Sequence, residues 1–565
     1  MSDNGNPSAP VEPQRRSGEL LRIYSHLDDQ SVCHGHHNEM QASRWDTPPS
    51  TQSASSREDA ETELSEKARS SDDSQEGQDL EQGLAIEKGC TPGSVKDPNV
   101  VTWDGPDDPE NPKNWSKKKK WGITLMVSSF TLISPVSSTM VAPALNAIAK
   151  EFHITSVIES QLTLSIFVLA YAVGPLVVGP LSEMYGRVPV LKLANLFYLI
   201  FNTACGASRS KGQMTAFRFL SGLGGSAPLA LGGGVLSDCW KAEERGKSMS
   251  IYSLAPLLGP AIGPIAGGFI TMKATWRWVF YATSIACALV QGIGLLYLRE
   301  TYPPKILLRK ARKLRKETGN RDLRTEYEQP DKTLVKTLRT SLVRPFKLLG
   351  TQPIIQALAL YMAYLYGLMY LVLSTFPTLW EGTYGESVGV GGLNYISLGI
   401  GFFLGAQVCA PLQDKIYRHL KTRSRSSSGT PEFRVPLMLP GSFMVPVGLF
   451  WYGWSAHAKL HWIMPNIGAA IFTSGTIICF QCIQAYLVDS YTRYAASAVG
   501  AATVLRSLAG FTFPLFAPRM YEVLGYGWGN SLLGFVGILL GWPAPLLLWK
   551  FGAKLRAKSP FAAGG

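Results

Sequence analysis

The sequence predicts an all-α membrane protein with twelve transmembrane helices in two six-helix bundles. Apolar segments of about 20 residues or more recur from residue 122 to residue 550, and each can cross a hydrocarbon core of about 30 Å. Charged residues make up only 17% of the chain, against about 25% in typical soluble proteins. A basic stretch, residues 299–350, separates the first six segments from the last six.

The chain opens with a polar region, residues 1–110, that is rich in Ser, Asp, Glu, Gln and Pro and has almost no apolar periodicity. This composition predicts a disordered tail. The first residues lack the basic-then-apolar order of a signal peptide. Trp115 and Trp121 then flank four lysines, and aromatic and basic residues of this kind mark a membrane interface.

Apolar segments define the remaining domains: a first bundle at 111–298, a basic linker at 299–350, a second bundle at 351–550 and a short tail at 551–565. Several segments contain Gly and Pro, which membrane helices tolerate. Weak similarity between the halves, such as Leu236-Ser-Asp238 and Leu487-Val-Asp489, indicates a duplicated bundle. The predicted spans are residues 122–143, 161–181, 188–207, 214–237, 247–271, 277–298, 353–379, 391–413, 434–454, 461–487, 495–518 and 529–550.

Basic residues are distributed unevenly between the loops. Lys and Arg fill the segment before the first span, the linker and the loop at 414–434, whereas residues 380–392 contain none. The positive-inside rule therefore predicts that both termini and the linker are cytoplasmic. An even number of spans requires the same arrangement of the termini.

The formal charge of +13 would suggest a nucleic-acid partner in a soluble protein. Here the basic residues lie in loops between apolar segments, so we expect contact with the lipid bilayer and no nucleic acid. The sequence has no Walker A motif and no catalytic constellation, and we expect neither an enzyme nor a cofactor. Cys479-x-x-Cys482 lacks a second ligand pair, so we expect no metal site.

A short polar turn joins the second and third spans. It contains Gly179, Glu183, Gly186 and Arg187 and resembles the loop between helices 2 and 3 of the major facilitator superfamily, although Glu183 replaces the usual Asp and Met184 replaces a basic residue. The resemblance implies a gating role for this turn. We predict that its charged residues, with three carboxylates at the same ends of other spans, act as clasps that open and close during alternating access. Those carboxylates are Asp238, Asp414 and Asp489.

The fifth span combines small residues with three prolines. Small residues allow helix backbones to pack closely, and each proline removes a helical hydrogen bond. The pattern resembles the helix-5 antiporter motif of the same superfamily, which separates exporters from importers; the alternative is a generic kinked helix. The motif residues are Gly259, Pro260, Gly263, Pro264, Gly267 and Gly268.

Two arginines lie inside predicted spans, where ionisable residues suggest function. Arg218 resembles the arginine of a helix-4 motif that is associated with proton coupling in antiporters. Its alternative role is structural, through hydrogen bonds to backbone carbonyls or an ion pair. Arg506 matches no motif, and we predict a packing role for it. No Asp or Glu lies near the middle of a predicted span, so the sequence does not identify a proton carrier.

Side chains on three spans are candidates for a central substrate cavity: Tyr171, Tyr361, Tyr364, Gln481 and Gln484. Aromatic rings with few amides suit amphipathic or aromatic molecules better than sugars. The alternative for each tyrosine is a position that faces lipid or the membrane interface.

Over residues 100–550 the chain resembles the fungal twelve-helix drug–proton antiporters of the major facilitator superfamily. The segments Trp276-Arg-Trp-Val-Phe-Tyr281 and Gln484-Ala-Tyr-Leu-Val-Asp489 add to the motifs above. The resemblance implies a monomer that exports drugs, toxins, polyamines or secondary metabolites across the plasma membrane in exchange for protons. An importer on the same fold and a non-transporting sensor remain the alternatives.

Overall fold

A computed structural model describes residues 99–241, 244–328, 333–424 and 429–562 of the 565-residue chain. The predicted disorder of residues 1–98 therefore lies outside the described residues. Long helices dominate the described part, and the predicted all-α membrane fold is confirmed. Ten of the long helices are α1 (Lys117–Thr139), α2 (Val157–Tyr185), α3 (Arg187–Gly206), α4 (Lys211–Cys239), α5 (Arg245–Lys273), α6 (Arg277–Tyr297), α7 (Pro353–Pro377), α8 (Tyr395–Arg423), α9 (Met438–His457) and α10 (Ile463–Ser490).

The last two predicted spans are continuous in the chain. Helical structure runs from Ala495 to Gly541, and only Gly525 leaves the helical conformation, with φ 70° and ψ 172°. We label residues 495–524 as α11 and residues 526–541 as α12. The described residues thus contain eleven apolar helical segments that are long enough to span a membrane. The last segment is divided at Gly525 and supplies two spans.

A contact of Tyr364 in α7 shows that the chain reverses at Gly525. The Tyr364 ring lies 6.1 Å from the ring of Phe513 in α11, and its hydroxyl donates a hydrogen bond to the carbonyl oxygen of Leu533 in α12. Residues 513 and 533 would lie about 30 Å apart in a straight helix. Both can meet one tyrosine only if α12 folds back beside α11.

The helices form two bundles. In the first, α4 packs against α2 and α3, and α1 packs against α5; in the second, α7 packs against α11, and α9 packs against α10. We call the end of the bundles that carries residues 299–350 the linker end, and the other end the far end. Shorter helices at Leu145–Glu151 and Val388–Leu393 lie at the far end, and helices at Pro303–Thr318, Leu334–Thr351 and Pro543–Ala557 lie at the linker end.

The segment before α1 is attached to the linker. Strand β1 (Val100–Val101) pairs in parallel with strand β2 (Arg324–Thr325) of the linker. Lys310 of the linker forms ion pairs with Asp104 at 2.6 Å and Asp108 at 3.4 Å. Asp108 is buried and also accepts hydrogen bonds from the backbone N–H groups of Asp104 and Glu110. Residues 99–110, which composition assigns to the tail, are therefore held on the linker.

Candidate functional site: the interface between the two bundles

The glycines of the α5 motif bring its backbone against α1. A Cβ atom built on Gly259 would lie 2.5 Å from Cβ of Pro135, and one built on Gly263 would lie 2.5 Å from Oγ1 of Thr139. A Cβ on Gly267 would collide with the carbonyl oxygen of Met140. Only glycine permits this approach, so α1 and α5 pack backbone to backbone along the half of α5 nearest the far end.

The same helix touches the second bundle. A Cβ on Gly268 would lie 2.7 Å from the carbonyl oxygen of Val388, and a Cβ on Gly392 would lie 3.2 Å from the carbonyl oxygen of Pro264. Pro260 and Pro264 are both buried in α5. At the far end, the α5 motif thus packs against α1 of its own bundle and against residues of the second bundle.

A hydrogen bond also crosses between the bundles. The Ser138 hydroxyl, in the last turn of α1, lies 2.9 Å from the Tyr370 hydroxyl of α7. At the other end, the helix Leu334–Thr351 packs against both α2 and α11. The far-end contacts and this linker helix therefore join the two bundles at opposite ends.

Arg218 of α4 is completely buried, and its guanidinium donates hydrogen bonds to backbone carbonyl oxygens. It donates hydrogen bonds to the carbonyl oxygens of Thr163 at 3.1 Å, Ser137 at 3.1 Å and Ser138 at 3.4 Å. The last two carbonyls belong to the final turn of α1, where helical partners run out. Arg218 also lies 4.4 Å from the ring of Phe167. Arg218 therefore ties α4 to α1 and α2, and no carboxylate pairs with it in the described part of the chain.

Arg506 of α11 has a different environment. Its guanidinium lies 5.1 Å from the ring of Tyr366 in α7 and 5.1 Å from the ring of Phe480 in α10. Its Nε atom is enclosed without a hydrogen-bond partner, and across the described ranges no carboxylate pairs with the side chain. The sequence assigned packing to Arg506, yet its polar atoms are less satisfied than those of Arg218.

The predicted cavity residues separate into two groups. Tyr171 is buried near the bundle interface, with its hydroxyl 2.5 Å from the Ser134 hydroxyl. Gln481 and Gln484 of α10 are half-buried. Tyr361 and Tyr364 instead lie in the core of the second bundle, where Tyr361 packs beside α12 and Tyr364 contacts α11 and α12.

Two tyrosines that we did not select lie closer to the interface. Tyr366 and Tyr370 are one helical turn apart on α7, with ring centroids 5.0 Å apart. Tyr366 contacts Arg506, and Tyr370 reaches Ser138 of the first bundle. Their four-residue spacing was visible in the sequence, but the same spacing relates other apolar residues on α7, and periodicity does not show which face meets the other bundle.

At the linker end of the first bundle, Arg187 is the centre of a charged cluster. Its Nε donates to Asp238 at 2.5 Å, and its guanidinium lies over the Tyr302 ring at 4.9 Å. Burial raises the pKa of Tyr302 to about 12, so this ring stays neutral at physiological pH. Glu183, by contrast, is exposed and has no ion pair within the described residues.

Glu300, which the sequence analysis did not select, completes this cluster. Its carboxylate accepts hydrogen bonds from the backbone N–H groups of Arg187, Thr301 and Tyr302. It lies directly against Gly186, whose φ of 102° favours glycine. Gly179 has open space where a Cβ would be. The start of the linker thus supplies a carboxylate that contacts the turn between α2 and α3.

The second bundle has a related cluster around Arg434, just before α9. Its guanidinium pairs with Asp414 at 3.0 Å and with Asp489 at 2.9 Å. Beside it, Arg556 pairs with Glu432 at 2.8 Å. The two aspartates were predicted from the sequence, but their partner Arg434 was not. The internal duplication was the available signal, because Arg434 lies just before α9 and Arg187 is the first residue of α3, the corresponding helix of the first bundle.

Comparison with known proteins identifies the family. A family model described as Major Facilitator Superfamily matches residues 127–514. The chain belongs to the major facilitator superfamily. It is 53% identical to the efflux pump vrtL of Penicillium aethiopicum over 83% of this chain and 92% of that protein. It is 43% identical to the efflux pump radE of Floropilus chiversii over 82% of this chain and 86% of that protein.

Solved structures of major facilitator proteins have the same fold. The xylose transporter XylE from E. coli, in a partially occluded inward-open conformation, matches with a TM-score of 0.57 at 17% identity, over 77% of this chain and 98% of that one. A bacterial homologue of the human lysosomal transporter Spinster, in an inward-facing conformation, matches with a TM-score of 0.56 at 16% identity, over 79% of this chain and 100% of that one. The chain is therefore a multi-pass membrane transporter.

Proposed function

We propose that this transporter exports small amphipathic compounds, such as drugs, toxins, secondary metabolites or polyamines, in exchange for protons. The observation that carries the proposal is the seam of α5, where Gly259, Gly263 and Gly267 contact α1 and Gly268 contacts the second bundle. The contacts with α1 lie inside the first bundle and hold α5 against it, whereas the close approach at Gly268 lets the two bundles meet at the far end and separate again.

The printed names of the relatives support the direction of transport. Both vrtL and radE are called efflux pumps, and this chain spans 92% and 86% of their lengths. Similarity over nearly the whole transporter, including the α5 region, favours export over import.

In this proposal Arg218 couples the proton to the movement of helices without carrying the proton itself. A guanidinium keeps its charge in proteins, so another group or a water must bind the proton. Arg218 holds carbonyls of α1 and α2, and a shift of either helix must break or remake these bonds. Substrate would occupy the space near Tyr171, Gln481 and Gln484.

In this proposal the charged clusters hold the linker end of each bundle together while the gate between the bundles opens and closes. Arg187 with Asp238, and Arg434 with Asp414 and Asp489, each join helices of one bundle, so they fix the bundle as a unit that rocks. We propose a monomer in the plasma membrane, as the resemblance to the drug–proton antiporters implies. Its linker end and both termini would face the cytoplasm, because Lys and Arg concentrate in the loops of that end.

A transport assay tests the proposal. The protein is expressed in a host that lacks its main exporters, and accumulation of a panel of labelled amphipathic compounds is measured with and without a protonophore. Export predicts that expression lowers accumulation of some compounds and that the protonophore abolishes this effect. If expression raises the accumulation of a compound, the protein is an importer. If the accumulation of every compound is unchanged, the non-transporting sensor is the hypothesis that remains.

A further inference from the structure

We propose that Arg506, Tyr366 and Phe480 form a binding site for the anionic group of an aromatic substrate. This inference rests on the proposed export function and names the chemical class of compound: a planar ring system that bears a carboxylate or an acidic phenol.

The first observation is a cation near the middle of a membrane span, for which the described residues supply no carboxylate. Arg506 lies 11 residues after Ala495, about 16 Å along α11, which is half of a hydrocarbon core of about 30 Å. A charge at this depth is costly and normally has a partner. Arg218 meets this requirement with three carbonyl oxygens, whereas Arg506 has an enclosed Nε with none. An anionic ligand would supply the missing acceptors.

The second observation is that Arg506 faces the other bundle. Gly510 lies one helical turn later on the same face of α11. A Cβ on Gly510 would lie 2.9 Å from the Tyr366 ring and 3.0 Å from Cγ1 of Val168 in α2. This face of α11 therefore meets α7 and the first bundle, which is where alternating access exposes a substrate.

The third observation is the aromatic surface beside the guanidinium. The Tyr366 and Phe480 rings lie 6.3 Å apart in a stacked arrangement, and each is 5.1 Å from Arg506. Tyr370 continues the aromatic surface towards the far end. Rings hold a planar ligand by stacking, while the guanidinium offers a fork of donors that matches a carboxylate.

Charge selects the class of ligand. The two partners described for Arg506 are the uncharged rings of Tyr366 and Phe480. A cationic compound would therefore be repelled by the positive charge of Arg506. A neutral compound would use the rings but leave the guanidinium unpaired. An aromatic acid satisfies both features at once.

Equilibrium binding to the purified full-length protein in nanodiscs tests this inference. The probes are radiolabelled 2-naphthoate, 2-naphthamide and 2-naphthylmethylamine, which share one ring system and differ in charge. The wild type should bind the acid at least about tenfold more tightly than the other two. Arg506→Gln should weaken acid binding about 30-fold, which is about 2 kcal/mol at 1.4 kcal/mol per factor of ten.

Two further variants separate charge from stacking. Arg506→Lys should lose less affinity than Arg506→Gln, because the charge stays and the planar fork is lost. Tyr366→Leu should weaken all three probes alike. Unchanged amide binding by Arg506→Gln would also show that the variant is folded. The matched control is Arg519→Gln, also in α11, whose exposed side chain pairs with Glu522 at 3.0 Å. This variant should bind the probes as the wild type does.

Equal affinity of the wild type for the three probes, no binding of the acid, or an unchanged acid affinity in Arg506→Gln would overturn the inference. Failure of the export proposal gives a different result. If the protein moves no compound outward but Arg506→Gln still loses acid binding, the site stands and its function is not export.

Discussion

Nη1 of Arg218 donates a hydrogen bond to the carbonyl oxygen of Ser137, 3.1 Å away in the last turn of α1. This bond joins α4 to the helix that packs against the α5 seam. The hydrogen bond of Arg218 therefore depends on the position of α1, a helix that we expect to move during transport.

Arg218→Ala should abolish export driven by a pH gradient, and Arg218→Lys should be impaired more strongly than conservation of charge suggests. Lysine is a point donor and cannot copy the planar fork that reaches Thr163, Ser137 and Ser138. Substrate binding should survive better than transport. Both are measured on purified variants, in liposomes where pH is the only energy source. Normal uphill export by Arg218→Ala would leave Arg218 with a packing role alone.

Gly263→Leu and Gly267→Leu should each reduce export at least about tenfold while the protein still reaches the membrane. Overpacking costs about 1–3 kcal/mol, and both glycines face the α1 backbone, which cannot move aside easily. The measurement is export normalised to surface protein. Gly292→Leu in α6 is the control, because a Cβ there meets nothing within 4 Å. Full export by both motif variants would show that the close approach is not needed for transport.

Glu300→Ala should lower thermal stability and export more than Glu183→Ala. Removal of the Glu300 carboxylate leaves the N–H groups of Arg187, Thr301 and Tyr302 without their acceptor, at about 1–3 kcal/mol for a buried group. Glu183 is exposed, so its loss costs little. Thermal unfolding in detergent and export in cells measure the two effects. A larger effect from Glu183 would contradict this ranking and would support the gating role that the sequence predicts for Glu183.

Attachment of residues 99–110 to the linker should depend on Asp108 and on pH. Burial alone would raise the pKa of Asp108, but hydrogen bonds from the N–H groups of Asp104 and Glu110, together with Lys310, outweigh it and lower the pKa. The stabilisation is therefore complete above the unfolded value of about 4 and is lost as the pH falls below it.

A spin label at Thr102 measures this attachment. Its mobility in the wild type should stay low from pH 7 to about pH 4 and rise at lower pH, whereas Asp108→Asn should make it mobile already at pH 7. A label at residue 292 in α6 is the reference. A label at residue 102 that stays immobile in Asp108→Asn would show that the strand pair alone holds the segment.

Epitope tags at both termini, and one inserted at the Gly319 turn of the linker, should resist external protease in intact cells. The distribution of basic residues between the loops predicts a cytoplasmic position for all three sites. Permeabilised cells provide the positive control. Cleavage of any one tag in intact cells would contradict the proposed orientation.

The membrane spans could be predicted from the sequence because each depends on local apolar length. The reversal at Gly525 was harder, since residues 519–528 include charged and aromatic residues that suggest a loop, yet one left-handed glycine suffices for the turn. The attachment of residues 99–110 was also hidden. Their Pro- and Asp-rich composition is typical of a tail, and the partners that hold them, Lys310 and strand β2, lie about 200 residues away in the chain.

The candidate site was only partly predictable. Arg218 stood out as a charge in an apolar span, but the sequence could not show whether its partners would be carboxylates or carbonyls. Tyr364 and Tyr366 are two residues apart on one helix, and which of them faces the other bundle depends on tertiary packing. Glu300 lies in a polar linker where acidic residues are common, so its contact with Arg187 had no local signal.

The direct passage from α11 to α12 through Gly525 affects how the chain enters the membrane during synthesis. A single residue leaves no soluble loop to translocate, so the two spans form a helical hairpin that can partition into the bilayer together. Arg506 makes α11 costly to insert alone, by about 2.5–3.5 kcal/mol at the centre of a span. Residues 526–549 carry no charged side chain, and their apolar surface can offset that cost. The protein can therefore place an arginine within a membrane span because α11, which carries Arg506, enters the bilayer together with the uncharged α12.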